Sequence, residues 1–168
     1  IYSSIGRAFT ASTNQLDLFM GKRFGLEYTD QDGEKKVPAV IHRAPLGTHE
    51  RFIGFLIEHY GGAFPTWLSP VQVMVLPVSD KQSEYAGEVV ATLKTAGVRA
   101  SVNDANDSLG KRIRATKMEK VPYMLVVGDA EVSARTVSVE SRDNGKEEQP
   151  ASLAEFVARV AEEVRTRA

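Results

Sequence analysis

Apolar positions change their period near residue 70. Before that point they come in short pieces. Residues 14–20 (NQLDLFM) alternate apolar and polar side chains at Leu16, Leu18 and Met20, the period of a half-buried strand. Asp32-Gly33 is a turn signal, and residues 37–41 after it predict a buried strand. Phe52, Ile53, Leu56, Ile57 and Tyr60 recur at helical spacing. Thr48 is placed as their N-cap, and Gly61-Gly62 ends the run. Residues 64–70 (FPTWLSP) bracket a tryptophan between prolines and read as a stiff connector carrying an anchor.

From Val71 the segments lengthen. VQVMVLPV predicts a strand. Residues 83–96 predict a helix with Tyr85, Val89, Val90 and Leu93 on one side and Gly97 as its cap. VRASVN predicts a strand, residues 109–118 a basic helix, VPYMLVVGD a fully buried strand and RTVSVES an alternating strand. DNGKEE reads as a polar hairpin or loop. Residues 152–167 predict an amphipathic helix carrying Leu153, Phe156, Val157, Val160 and Val164. The order β-α-β-α-β-β-α predicts a mixed sheet with helices packed on it. There is no internal repeat.

Composition narrows the functions. The 168 residues suffice for one domain or two small ones. The net charge of -1 gives no global pull toward nucleic acid or membrane, so any nucleic-acid contact must come from a local patch. The absence of cysteine excludes disulfides and cysteine-based zinc knuckles within this stretch and fits a reducing compartment. No apolar run approaches the roughly 20 residues of a membrane span. Starting at Ile1 with neither initiator Met nor signal peptide, the chain reads as the tail of something longer.

One stretch concentrates chemistry: VIHRAPLGTHERFIGFLIEHYGG, residues 40–62. A glycine before a helix lets backbone approach a ligand closely. A helix N-terminus offers free amides and the positive end of the dipole, which suits phosphate. Arg51 in the first turn adds a planar cation that pairs with phosphate or stacks on a base. His42, one strand-length upstream, is a candidate ligand or base. Taken alone, the same residues are also the parts of an ordinary helix cap followed by a surface ion-pair residue.

The longer strings are more specific. IHRAPLGTHERFIGFLIEHYGGAFPTWLSPVQV closely resembles the third signature motif of class II aminoacyl-tRNA synthetases in its threonyl form. SDKQSEYAGEV, AGVRA, LGKRIR and KVPYMLVVGDAEV are similar to the anticodon-binding domain of the same enzymes, so the resemblance covers essentially the whole chain. It implies an α+β architecture at residues 1–66, the last part of an antiparallel-sheet catalytic core, followed by a mixed-sheet α/β anticodon-binding domain at 67–168. The implied activity is ATP-dependent activation of threonine and its transfer to the threonine tRNA, with ATP and Mg2+ as substrate, in a cytoplasmic homodimer. Under the resemblance Arg51 is the catalytic arginine that clamps ATP and stabilises charge on the leaving pyrophosphate. Gly47 and Thr48 lie beside the nucleotide, and Thr13 and Gln15 contact threonine or the adenylate. Where the family commonly has a Trp-Gln pair, this chain has Phe9-Thr10. His42 is one of three protein ligands to a zinc ion that binds the threonine amino and hydroxyl groups. Requiring the hydroxyl rejects valine, which an apolar pocket does poorly. The other two ligands, and the arginine of the second motif, belong to upstream parts of the family, so these 168 residues alone are expected not to aminoacylate.

In the second half, Lys111, Arg112, Arg114, Lys117 and Lys120 face a single acid, Glu119, a local charge of +4 that suits backbone phosphate. Such a run is also what a solvated helix face looks like. The resemblance puts Asn106, Arg114 and Glu131 where the family reads anticodon bases, and these groups can address the edges of unstacked bases. Glu140 stands where family members often carry arginine, so the arginine's role is either missing or passes to Arg142. Trp67 reads as an anchor rather than a base-stacking platform. The competing reading is a non-catalytic tRNA-binding or accessory protein built on the same domain. Retention of the GTHER string, with His42 beside it, speaks against it.

Overall fold

In a computed structural model, residues 1–104, 106–147 and 149–167 are described, and they form two compact units, Ile1–His59 and Tyr60–Ala168. In the first unit, strand β1 (Thr13–Asp17) is followed by a four-residue helix α1 (Met20–Arg23), a small ribbon of β2 (Tyr28–Thr29) and β3 (Lys35–Lys36), strand β4 (Val40–Ala44) and helix α2 (His49–Tyr60). β1 and β4 pair antiparallel. Gly33, at φ +82°, closes the ribbon at the Asp32-Gly33 turn. Lys36 holds both Asp30 and Asp32, the latter at 2.7 Å.

Two expectations here are corrected. Alternation does not run through Met20. The Asp17 carboxylate accepts from the Phe19 and Met20 amides at 2.8 and 2.9 Å, which ends β1 and starts α1. Residues 37–41 are not one buried strand. Pro38, without an N–H, separates β3 from β4, and Val37 and Ile41 are exposed.

In the second unit, a 3-10 turn (Thr66–Leu68) leads into β5 (Val73–Pro77), α3 (Ser83–Thr95), β6 (Ala100–Val102), α4 (Leu109–Met118), β7 (Tyr123–Val127), α5 (Asp129–Ala134), β8 (Thr136–Ser141), β9 (Gly145–Lys146), β10 (Ala151–Ser152) and α6 (Leu153–Thr166). The six-stranded sheet has the order β10-β8-β7-β5-β6, with β9 also on β8. β5 is parallel to both β6 and β7, whereas β8 is antiparallel to its neighbours. The mixed sheet and the polar hairpin over residues 143–147 agree with the sequence; Glu148, the last residue of that stretch, lies outside the described residues.

Strand alternation builds two apolar layers. Val73, Val75, Leu125, Val127, Val137 and Val139 face Tyr85, Val89 and Leu93 of α3 and Phe156 and Val160 of α6. Met74, Leu76 and Met124 face the other way, with Val121, Leu109 and Ile113 beside them. α6 starts at Ser152, whose hydroxyl accepts from the Glu155 amide at 3.3 Å, and every apolar position read for it joins the first layer.

Helix α5 was not read from the sequence. Glu131 at its third position accepts from the Gly128 amide at 2.9 Å, and left-handed Arg135 ends the helix within two turns. Among the described residues no helix is long and apolar enough to cross a membrane.

Candidate nucleic-acid interface

α3 leads from β5 to β6 and packs on one layer. α4 leads from β6 to β7 and packs on the other. Because β6 and β7 flank β5, the winding direction reverses at β5, and the exits of the three parallel strands form one crest. Open α/β sheets bind ligands at such a reversal. Asn106 follows β6 and is exposed; Glu131 follows β7 and is half-buried. Two of the three candidate base-reading residues thus follow parallel strands of this crest, on either side of β5.

Arg114 lies on the exposed side of α4 and, among the described residues, makes no hydrogen bond or ion pair. The rest of the basic run is largely engaged. Lys111 pairs with Asp107 at 2.7 Å and Lys117 with Glu140 at 2.6 Å, while the Lys120 amine donates to the Gly61 carbonyl. Arg112 corrects the expectation of a solvated cation. It is 6% exposed, with Nη1 on the Asn103 carbonyl at 2.9 Å and Nη2 toward the Val78 carbonyl at 3.4 Å. α4 needs an inward face, and residues 109, 112, 113 and 116 are that face.

Glu140, with Lys117, Thr116, Val121, Met124 and Arg142, lines a cavity of about 270 Å3. Arg142, the other candidate for the family arginine's role, is engaged within the fold. Its guanidinium holds the Phe64 and Lys120 carbonyls at 2.8 and 3.2 Å and forks onto Asp143, whose carboxyl it keeps below the usual carboxylate range. The Trp67 ring already carries the Arg167 guanidinium at 5.3 Å, and its carbonyl accepts from Arg99 at 2.7 Å.

In the first unit, Gln15 lies opposite His42 in the β1–β4 register, and Thr13 opposite Ala44. Thr13, Gln15, Asp17 and His42 therefore share one face of the pair. His42 Nε2 is 3.2 Å from the second oxygen of Asp17. The Asp17 carboxyl is held below its ordinary value, first by the Met20 and Phe19 amides and less by His42.

A second group gathers at the start of α2. Gly47 adopts φ +68°, the Thr48 hydroxyl accepts from the Arg51 amide at 3.3 Å, and the Arg51 guanidinium lies 5.4 Å over the Phe9 ring. Phe9 in turn stacks on Phe55 at 5.1 Å. Among the described residues no three His, Cys, Asp or Glu side chains are grouped to hold a metal. His42 and Asp17 offer two donors at most, so the described residues do not by themselves fit a zinc centre.

Residues 72–163, more than half of the chain, match the family model for the anticodon binding domain. The chain belongs to the anticodon-binding domain family.

Over nearly its whole length the chain is also similar to longer enzymes. It is 49% identical over 163 residues to a threonine–tRNA ligase of Clostridium tetani, covering 97% of this chain and 25% of that protein. The threonine–tRNA ligase of Caldanaerobacter subterraneus subsp. tengcongensis is 48% identical over 165 residues, with coverage of 98% and 26%. The chain thus spans about a quarter of the length of the curated relatives it matches. Among solved structures, the RNA binding domain of threonyl-tRNA synthetase from Cryptosporidium parvum Iowa II superposes with a TM-score of 0.80 at 33% identity, covering 96% of this chain and 41% of that one. Prolyl-tRNA synthetase from Cryptosporidium parvum gives 0.70 at 28%, with coverage of 96% and 35%. The mixed α/β fold and the family resemblance read from the motifs are both borne out.

Asn106, Arg114 and Glu131 fall inside the anticodon-binding match, and Thr13, Gln15, His42, Gly47, Thr48 and Arg51 before it. Sequence reasoning missed two buried polar residues of the crest, Gln82 and Arg112. Gln82 had a signal: Ser79-x-x-Gln82 is a capping-box spacing, and the Gln82 carbonyl oxygen accepts from the Ser79 amide at 2.9 Å. Arg112 had none, since its burial shows only once the inward face of α4 is fixed.

Proposed function

We propose that this chain is the anticodon-recognition module and adjoining catalytic segment of a threonine–tRNA ligase, an enzyme that activates threonine with ATP and transfers it to the threonine tRNA. The observation that carries this reading is the match of residues 72–163 to the anticodon binding domain, within which Asn106 and Glu131 follow the two parallel strands that flank the reversal at β5. Residues 67–168 read the anticodon through Asn106, Arg114 and Glu131, with Arg114 the exposed cation for base or phosphate. Residues 1–66 contribute part of the catalytic site. Arg51 clamps ATP, supplied with Mg2+, beside Gly47 and Thr48, while Thr13 and Gln15 face threonine or the adenylate. Stacking on Phe9 supports a pre-positioned Arg51, since the ring limits its rotamers before substrate arrives. His42 enters as one donor to a zinc ion whose other ligands the described residues do not supply. The parent enzyme is proposed to be a cytoplasmic homodimer, and this chain alone is proposed not to charge tRNA.

Binding of a threonine tRNA transcript and of anticodon-swapped transcripts, at several salt concentrations, tests the reading. The swap is expected to weaken binding by about 1–3 kcal/mol per base contact. Equal, salt-labile binding of all transcripts would reduce the crest to a charged surface.

A further inference from the structure

Carbonyls at strand exits leave the sheet ladder and need other donors. At this crest two buried polar side chains address the exits, one on each side of β5. Gln82, 3% exposed, accepts from the Ser79 amide and hydroxyl at 2.9 and 2.8 Å through its carbonyl oxygen, and donates to Asp129 at 2.5 Å through its amide. It therefore ties the β5 exit to the first residue of α5, two positions before Glu131. Arg112 spans the β5 and β6 exits through the Val78 and Asn103 carbonyls, the latter three positions before Asn106. Its Nε has no partner among the described residues.

Burying a guanidinium with one donor unmatched costs free energy. A lysine ammonium, a single nitrogen with rotatable donors, does not reproduce the two fixed directions of the planar guanidinium fork. The fork is the feature only arginine supplies, and what it fixes is the spacing of two loops. Gln82 is uncharged and the Arg112 guanidinium is buried, so neither brace serves as a surface cation for phosphate.

We propose that Arg112 and Gln82 are positioning residues that set the two base-reading side chains independently: Arg112 the loop presenting Asn106, and Gln82, through Asp129, the helix start presenting Glu131. The inference rests on the anticodon reading above. It goes beyond that reading by assigning a separate support to each contact. Losing one brace relaxes discrimination at one anticodon position and leaves the other intact.

The test uses the 168-residue chain and threonine tRNA transcripts carrying single replacements at each anticodon position. Asn106→Ala and Glu131→Ala first mark which position each residue reads. Arg112→Lys, which keeps the charge and removes the fork, is expected to lose roughly ten-fold discrimination at the Asn106 position, the scale of one good base contact. Its salt slope should stay unchanged, whereas Arg114→Ala should lower that slope by about one. Asp129→Ala, an exposed change that removes the acceptor of the Gln82 tie, is expected to act at the Glu131 position alone.

Thermal melts identify any variant that fails to fold; Arg112→Met and Gln82→Met then provide the second version of each cut. Wild-type discrimination that survives in both brace variants overturns the inference while sparing the anticodon reading. Loss spread equally over all positions, or a fall in salt slope for Arg112→Lys, also overturns it. Absence of any discrimination by the wild-type chain overturns the anticodon reading itself, and this inference with it.

Discussion

The two units use similar apolar content in opposite ways. In Tyr60–Ala168 the large apolar side chains interdigitate on both faces of a sheet, and Leu76, Leu93, Leu125 and Phe156 are fully buried. In Ile1–His59 the strand pair exposes Leu16 and Ile41, α2 exposes Ile53 and Ile57, and Phe19 and Phe24 are also exposed. A two-stranded pair and a helix supply too few layers to bury a face each. Besides the β1–β4 pairing, what fixes the first unit is mostly polar and local: the Asp17 turn, the Thr48 cap and the Lys36 clamp. The second unit has a core that states its fold, whereas the first holds chemistry on surfaces with little packing behind them.

Core truncation probes that contrast most strongly. Phe156 is 1% exposed and meets the Tyr123 ring edge-on at 5.6 Å, so Phe156→Ala should cost about 3–5 kcal/mol in chemical denaturation. Ile57→Ala in α2 should stay within about 0.5 kcal/mol. A loss above about 2 kcal/mol at Ile57 would show that the α2 face is covered in solution, and the contrast would break.

Gly21 is the exception within the first unit. It is buried, and a methyl group there would come within 2.2 Å of the Pro38 carbonyl oxygen. Backbone cannot yield as a flexible side chain can, so Gly21→Ala should cost about 1–3 kcal/mol locally. Hydrogen exchange should accelerate in the β1–β4 amides and stay unchanged in β5 and β7. Acceleration in β5 and β7 as well would mean that the two units unfold as one.

How legible each unit was follows from the same difference. The α6 span and strands β7 and β8 read well because period and burial coincide there, whereas α4 buries the polar Arg112 and Thr116. In the first unit, periodicity misled. Leu16-x-Leu18-x-Met20 alternates, yet a single aspartate ended the strand, and Val37 to Ile41 looked buried by apolar content although Pro38 within it is a strand breaker. Among the candidate residues, Asn106, Arg114 and Glu131 were named from the family resemblance alone. The engagement of Lys117, Lys120 and Arg112 could not be, since their partners are 23, 59 and 9 residues away in sequence.

That engagement invites a smaller test. If the second unit satisfies its own charges as it satisfies its own packing, releasing one should be felt by RNA. Glu140→Ala frees Lys117 and removes a carboxylate from beside the basic helix. RNA affinity at low salt should rise about three- to ten-fold, with a salt slope steeper by about one phosphate contact. Folding stability should change by less than about 1 kcal/mol, the scale of a surface pair. Unchanged affinity would place Lys117 away from the RNA path.

The smallest effect belongs to Asp17, where the first unit relies on a single carboxylate. Its carboxyl titrates below the usual 3.8 because the Met20 and Phe19 amides donate to the charged form, with His42 adding less. A group whose folded value is depressed contributes stability above its unfolded value and loses it as pH falls through the folded value. The Phe19 and Met20 amide resonances should therefore hold steady as pH falls from neutral and move only below 3.8, the ordinary value. A midpoint at or above that value would mean that the amides do not grip the carboxylate. In Asp17→Asn the transition should vanish and the His42 ring should gain freedom, visible as narrower ring resonances, while the Phe156 and Val160 methyl and ring signals of the second unit stay in place. Movement in both sets would show that the turn at Asp17 supports more than its own unit.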